Sequence, residues 1–262
     1  MYAFDIERPT TIADAVAALK SDEAQPLSGG QTLIPTLKSR LAAPSKLVSL
    51  SSISEMVGLS DEGGVLRIGG ATKHDTVAKE AGGSQPGLAG LAGKIGDPAV
   101  RHRGTIGGSI ANNDPAACYP AAALAHGATI VTDRREIAAD DFFTGMFDTA
   151  LEEGEIVTAV EFPRPEASNY QKFEQPASRF AMVGVFVAKF AAGVRVAVTG
   201  ASEDGVFRWS EGEEALSANF SPEALDGLSV SAEGMITDLH GSADYRAHLV
   251  KVMTKRAVAA AR

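Results

Sequence analysis

The chain has 262 residues, 45% of them apolar and 22% charged, with a net charge of −9 and a pI of about 5.1. This is a globular composition with enough apolar side chains for a core, and its negative charge argues against a non-specific nucleic-acid binder, which needs a basic face. The single cysteine, Cys118, excludes a disulfide framework and any iron–sulfur cluster held by cysteines of this chain alone.

The start, MYAFDIERPT, has no basic stretch followed by an apolar one, and no apolar run approaches the length of a membrane span. The expected location is therefore cytoplasmic, with nothing spanning a membrane. Thr11 is placed to cap a helix with Asp14 three residues on, and Ile12, Ala15, Val16 and Leu19 share one helical face. A strand through Leu27 runs into Ser28-Gly29-Gly30-Gln31-Thr32. A second helix starts there, with Leu33, Leu37 and Leu41 on one side and Pro44 as its end. Lys46 to Leu50 is a predicted strand. Asp61-Glu62-Gly63-Gly64 is a hairpin turn before a strand at Val65 to Ile68.

Thr72 to Glu80 starts a helix, and Leu88, Leu91, Ala92 and Ile95 mark another that stops near Gly96-Asp97-Pro98. Arg103-Gly104-Thr105-Ile106-Gly107-Gly108-Ser109 is the most glycine-marked stretch. Pro120 to His126 is a short helix closed by Gly127, and Ala128 to Thr132 and Glu155 to Phe162 are strands. Pro163-Arg164-Pro165 is the boundary candidate, because two prolines around a charge continue neither a strand nor a helix. Beyond it, Met182 to Phe190 and Val194 to Thr199 form a hairpin, and Val206 to Trp209 is a candidate third strand. Ser242 to Ala261 is a closing helix with Tyr245, Leu249, Val252 and Met253 on its apolar face.

Absent motifs narrow the chemistry. There is no G-x-x-x-x-G-K-[ST], no G-x-G-x-x-G opening a helix, no H-E-x-x-H and no C-x-x-C. A nucleophile elbow needs G-x-S-x-G, and Ala111 occupies its last place. Two glycine turns remain, Ser28 to Thr32 and Thr105 to Ser109. The first leads into a helix, whose free N–H groups and positive dipole end suit an anion. Paired glycines let a backbone approach a ligand closely. Two such turns fit the two phosphates of a dinucleotide, with Thr32, Thr105 and Ser109 adding hydroxyl donors; taken singly, each is more often a plain turn. His74 is a cap or a ligand neighbour, while His126, His240 and His248 are expected on the surface at helix ends. Asp140-Asp141 is expected as an N-cap beside the aromatic anchor Phe142-Phe143.

Four blocks in order resemble the FAD-binding medium subunit of molybdenum hydroxylases, the carbon-monoxide dehydrogenase and xanthine dehydrogenase family. They are Ser28-Gly29-Gly30-Gln31-Thr32-Leu33-Ile34-Pro35; Ile95 through Arg103-Gly104-Thr105-Ile106-Gly107-Gly108 to Asp114-Pro115-Ala116-Ala117; Ala139 to Gly145; and Pro176 to Ala181. The resemblance covers nearly the whole chain. It implies an α+β fold: a two-subdomain FAD-binding domain of the vanillyl-alcohol-oxidase type at 1–165 (subdomains about 1–55 and 56–165), then a C-terminal domain at 166–262 with a three-stranded antiparallel sheet and helices.

The resemblance also implies non-covalent FAD with its pyrophosphate on Ser28 to Leu33 and Thr105 to Ser109. Ile95 and Ile156 match apolar flavin-contacting positions, Gln175 falls where some relatives have a lysine near the flavin, and Phe180 falls near a group that approaches the ring. Cys118 stands where an aspartate commonly contacts the cofactor, and Ser109 where asparagine is usual. The implied role is electron transfer. A molybdenum cofactor on a large subunit would oxidise substrate, and [2Fe-2S] clusters on a small subunit would relay electrons to this FAD. A quinone or NAD would accept them, in a dimer of heterotrimers. A self-contained flavin oxidoreductase and a cofactor-free assembly module stand as alternatives.

Overall fold

The computed structural model describes residues 1–262. Three parallel strands, β1 (Asp5–Glu7), β2 (Ala24–Leu27) and β3 (Lys46–Ser49), form a sheet in the order β1-β3-β2. They are connected through α1 (Ile12–Ala18) and α2 (Leu33–Lys38). Thr11 caps α1 as expected, its Oγ1 accepting from the Asp14 N–H at 3.1 Å. The second helix is shorter than its leucine spacing suggests. Arg40 turns left-handed at φ 58°, and Leu41 N–H returns to Thr36 O at 3.1 Å, so the helix ends in a Schellman turn and Leu41 is exposed.

Two antiparallel hairpin strands follow, β4 (Leu59–Glu62) and β5 (Val65–Gly69), joined by the predicted Gly63-Gly64 turn. Five helices come next: α3 (His74–Glu80), α4 (Pro86–Gly93), α5 (Pro98–Arg101), α6 (Ile106–Asn112) and α7 (Tyr119–His126). Strands β6 (Thr129–Thr132) and β7 (Glu136–Ala138) then lead to α8 (Ala139–Phe142) and a small hairpin of β8 (Phe143–Gly145) and β9 (Asp148–Thr149). Strand β10 (Val157–Pro163) inserts between β5 and β6, giving a five-stranded antiparallel sheet in the order β4-β5-β10-β6-β7. Asp140 and Asp141 lie inside α8 and do not cap it. Asp140 pairs instead with Arg195, at 2.6 Å, while Phe142 is fully buried.

The last sheet has four antiparallel strands, where three were expected: β11 (Ala167–Glu174), β12 (Ala181–Phe190), β13 (Gly193–Ser202) and β14 (Gly205–Arg208), followed by α9 (Ser210–Ala218) and α10 (Ala243–Ala260). The additional strand is β11. Its sequence, ASNYQKFE, buries Ser168 and Tyr170 and so carries no apolar alternation to reveal it. One face of this sheet, with Tyr170, Phe186, Ala188 and Ala197, joins the core built on α4, α6 and α7. The other face, with Val183, Val185, Val196 and Val198, packs on α10. The core is therefore continuous across Pro163-Arg164-Pro165.

His126 is buried, contrary to expectation. Its Nδ1 lies 2.7 Å from Ala122 O and its Nε2 2.9 Å from Gln85 Oε1, which ties α7 to the start of α4. No helix is long and apolar enough to cross a membrane.

Candidate functional site

Strand β2 ends at Leu27, and the chain turns through Ser28 to Thr32 into α2. Gly30 makes this turn at φ +71°, a conformation that favours glycine. The amide N–H groups of Gly29, Gly30, Gln31, Thr32 and Leu33 bond to no acceptor in the chain. Five successive unused donors at a helix start form a site for an anion.

The second turn opens a helix too, which its sequence did not reveal. Thr105 caps α6, with its Oγ1 accepting from Gly108 N–H at 3.2 Å. The two turns touch. Ser28 Oγ and Thr105 Oγ1 are 2.7 Å apart and hydrogen-bonded, and a Cβ on Gly29 would collide with the Arg103 carbonyl and with Gly104 Cα at 2.6 Å. Only glycine at position 29 lets the two backbones meet.

A cavity of about 430 Å³ lies over both turns. Its wall includes Leu27, Leu50, Met56 and Glu155 to Val157, then Ile95 and Gly96, then Asn112 to Cys118 in part, and finally Lys172 and Ser178 to Phe180. The C-terminal sheet thus contributes one side. Lys172, on β11, donates from Nζ to Lys94 O at 2.9 Å and lies 3.7 Å from Cys118 Sγ. Burial and the Lys172 ammonium both lower the pKa of Lys94. On the opposite wall, Glu155 is buried and accepts from Arg135, from Thr132 Oγ1 at 2.7 Å and from Glu152 N–H at 2.8 Å, which fixes the neighbouring Ile156. Arg101 donates to Ile95 O at 2.9 Å and Gly96 O at 2.8 Å and so shapes the turn that carries Ile95. Free amides, hydroxyls, an ammonium and apolar Ile95, Ile156 and Phe180 together suit a ligand with a phosphate centre and a flat apolar ring.

A family profile described as "FAD binding domain in molybdopterin dehydrogenase" matches residues 2–165. The chain belongs to this family. It is similar to the carbon monoxide dehydrogenase medium chain of Afipia carboxidovorans, 33% identical over 98% of this chain and 96% of the other. It is equally similar to the nicotine 6-hydroxylase medium subunit of Paenarthrobacter nicotinovorans, 33% identical over 95% and 94%. Among solved structures, quinoline 2-oxidoreductase from Pseudomonas putida 86 superposes with a TM-score of 0.88 at 28% identity, covering 98% of this chain and 96% of that one. The protein is thus the FAD-binding subunit of a molybdenum-hydroxylase type of oxidoreductase.

In this FAD-binding subunit the cavity collects Ser28, Gly29, Gly30, Gln31, Thr32, Leu33, Ile95, Thr105, Gly107, Gly108, Ser109, Cys118, Ile156 and Phe180. Two expected residues lie outside it. Ile106 is fully buried beneath the second turn, in the core. Gln175 sits in the β11–β12 connection, its N–H bonded to Phe180 O at 2.9 Å, while Lys172 on β11 and Ser178 to Phe180 further along the connection reach the cavity. The strand's two-residue period, interrupted by a bulge at Phe173/Glu174, turns Lys172 inward and leaves Gln175 in the connection. His74, Asn112, Asp114 and Arg179 also line the cavity; His74 had been singled out in the sequence, and the other three lie within the family blocks without having been assigned to the site.

Proposed function

We propose that this subunit holds one non-covalent FAD, which takes electrons from [2Fe-2S] clusters on a small partner subunit and passes them to a quinone or NAD. Substrate would be oxidised at a molybdenum cofactor on a large partner subunit, the whole forming a dimer of heterotrimers in the cytoplasm. Residues 1–165 would hold the cofactor, and 166–262 would bring Lys172 and Phe180 to it. The observation that carries this reading is the row of unused amide donors from Gly29 to Leu33. These amides would bind the pyrophosphate, assisted by the hydroxyls of Ser28, Thr105 and Ser109. Ile95, Ile156 and Phe180 would exclude water from the ring. FAD itself supplies the exchange between two-electron and one-electron steps. With one cysteine in the chain, the clusters belong on another subunit.

Acid precipitation of the purified complex is expected to release about one FAD per chain into the supernatant. Flavin remaining with the protein pellet would contradict the non-covalent assignment. Purification with a molybdenum subunit separates this reading from a self-contained flavin oxidoreductase, and the flavin spectrum separates both from a cofactor-free module.

Cys118 gives a further test. A thiol is a weak hydrogen-bonding group, and Cys118 faces the Lys172 ammonium. An aspartate there would gain an acceptor beside a cation. Cys118→Asp is expected to tighten FAD binding by roughly three- to twelve-fold, the value of one hydrogen bond, with Cys118→Ala unchanged. FAD dissociation constants check this. Weaker binding by the aspartate variant would mean that Asp114 already fills the acceptor role and that two carboxylates repel.

A further inference from the structure

The second glycine turn lies in the cavity wall, yet four of its five backbone donors are used within the chain, and only the Thr105 N–H bonds no acceptor. Ile106 N–H goes to Thr72 O (3.1 Å), Gly107 N–H to Gly70 O (2.8 Å), Gly108 N–H to Thr105 Oγ1 (3.2 Å) and Ser109 N–H to Thr105 O (3.0 Å). The nearest hydroxyls, Ser28 and Thr105, already share one hydrogen bond. A ligand crossing this turn therefore meets one free amide and a few hydroxyl protons, and a donor from elsewhere would add to its hold.

His74 supplies one. It is the first residue of α3, and its own N–H is bonded to Gly104 O at 3.0 Å. The residue is 5% exposed and lines the cavity. Its Nδ1 is buried without a partner, and its Nε2 makes no hydrogen bond in the chain. Native interiors rarely leave such groups unpaired. Nε2 lies over Gly104 so closely that a Cβ there would stand 2.5 Å from it. Glycine at 104 keeps the edge of the ring uncovered. Tyr119 tilts against the imidazole with ring centroids 5.4 Å apart and so holds its orientation. Burial and the Arg101 guanidinium push the His74 pKa down to about 4, so the ring carries one N–H and one lone pair at neutral pH. With hydrogen on Nε2, the donor is the ring nitrogen beside Gly104, which itself lines the cavity.

We propose that His74 is a cofactor-binding residue whose Nε2–H donates to the phosphate–ribityl stretch of FAD where it passes Gly104. The proposal rests on the reading that this cavity holds FAD. The test is a flavin-fluorescence titration of the full chain, stripped of cofactor and refilled with FAD. His74→Phe keeps a ring but removes the donor and is expected to weaken binding by roughly ten- to a hundred-fold, as for a hydrogen bond to a charged group. His74→Gln restores a donor and is expected to recover most of that loss. Both variants should melt together in the absence of FAD. Wild-type affinity in His74→Phe, or equal weakness in His74→Gln, would overturn the assignment. Gly30→Val run alongside separates the two levels. If it loses FAD while His74→Phe keeps it, only the histidine assignment fails; if both keep FAD, the cavity reading fails as well. Should His74→Phe not fold, the phosphorus NMR spectrum of FAD bound to His74→Gln decides. A displaced pyrophosphate resonance supports the contact, and an unchanged one refutes it.

Discussion

Gly107→Val is expected to lower the melting midpoint of the FAD-free protein by roughly 6–12 °C and to abolish FAD binding. A Cβ at position 107 would lie 2.6 Å from Gly70 O and 2.9 Å from Gly70 Cα, which is backbone that cannot turn aside. The Gly107 N–H also bonds that same oxygen at 2.8 Å. Helix α6 is therefore seated directly on the end of β5, and a branched side chain forces the two apart. Such overpacking costs about 3 kcal/mol, and in a chain of this size each kcal/mol moves the midpoint by roughly 2–4 °C. Gly30→Val should behave differently. Its Cβ would meet only side-chain atoms, Ile34 Cγ1 at 3.0 Å and Leu27 Cδ1 at 3.3 Å, but the φ of +71° strains any residue with a Cβ. Cofactor binding should be lost there with most of the stability kept. Circular-dichroism melting of the FAD-free variants, beside flavin content, checks both. An unchanged midpoint for Gly107→Val would contradict the packing argument.

The second large effect is on acid stability. Burial pushes the Glu155 carboxyl up, but the hydrogen bonds from Arg135, Glu152 N–H and Thr132 outweigh it and hold the pKa at about 2, against an ordinary value of 4.5. The side chain is fully buried. A carboxyl depressed in the folded state binds its proton more readily when unfolded. Its contribution is therefore complete above pH 4.5 and is lost as the pH falls from 4.5 to 2. At 1.36 kcal/mol per unit the contribution is about 3 kcal/mol. Urea unfolding at steps across that range should show a steep acid limb in the wild type. In Glu155→Gln the limb should be flatter and stability near pH 7 lower. Because Glu155, Ile156 and Val157 line the cavity, FAD should also dissociate more readily from this variant. Equal acid slopes in the two proteins would contradict the clamp.

Local signals were readable where the chain decides its own conformation. The Thr11 cap, the Gly63-Gly64 hairpin and the closing helix follow from neighbouring residues alone. The first glycine turn was readable as a helix start for the same reason, and the family resemblance added FAD as the expected ligand. What the sequence could not reveal depends on distant partners. The second turn looked like a twin of the first, but the amides of Ile106 and Gly107 are taken by Thr72 and Gly70, more than thirty residues upstream. Strand β11 was obscured because its inward face carries a serine, a tyrosine and a lysine in place of aliphatic residues. That also obscured Lys172, which lines the cavity where Gln175 does not. His126 looked like a helix-end surface residue, until Gln85 and two phenylalanines closed around it.

The most direct test of the first glycine turn as the cofactor's anion site is the flavin content of the purified native complex, by acid extraction, in wild type and in Gly30→Val. The expected result is about one FAD per chain in the wild type and none in the variant, with the variant still assembled. Wild-type flavin content in an assembled Gly30→Val complex would contradict it.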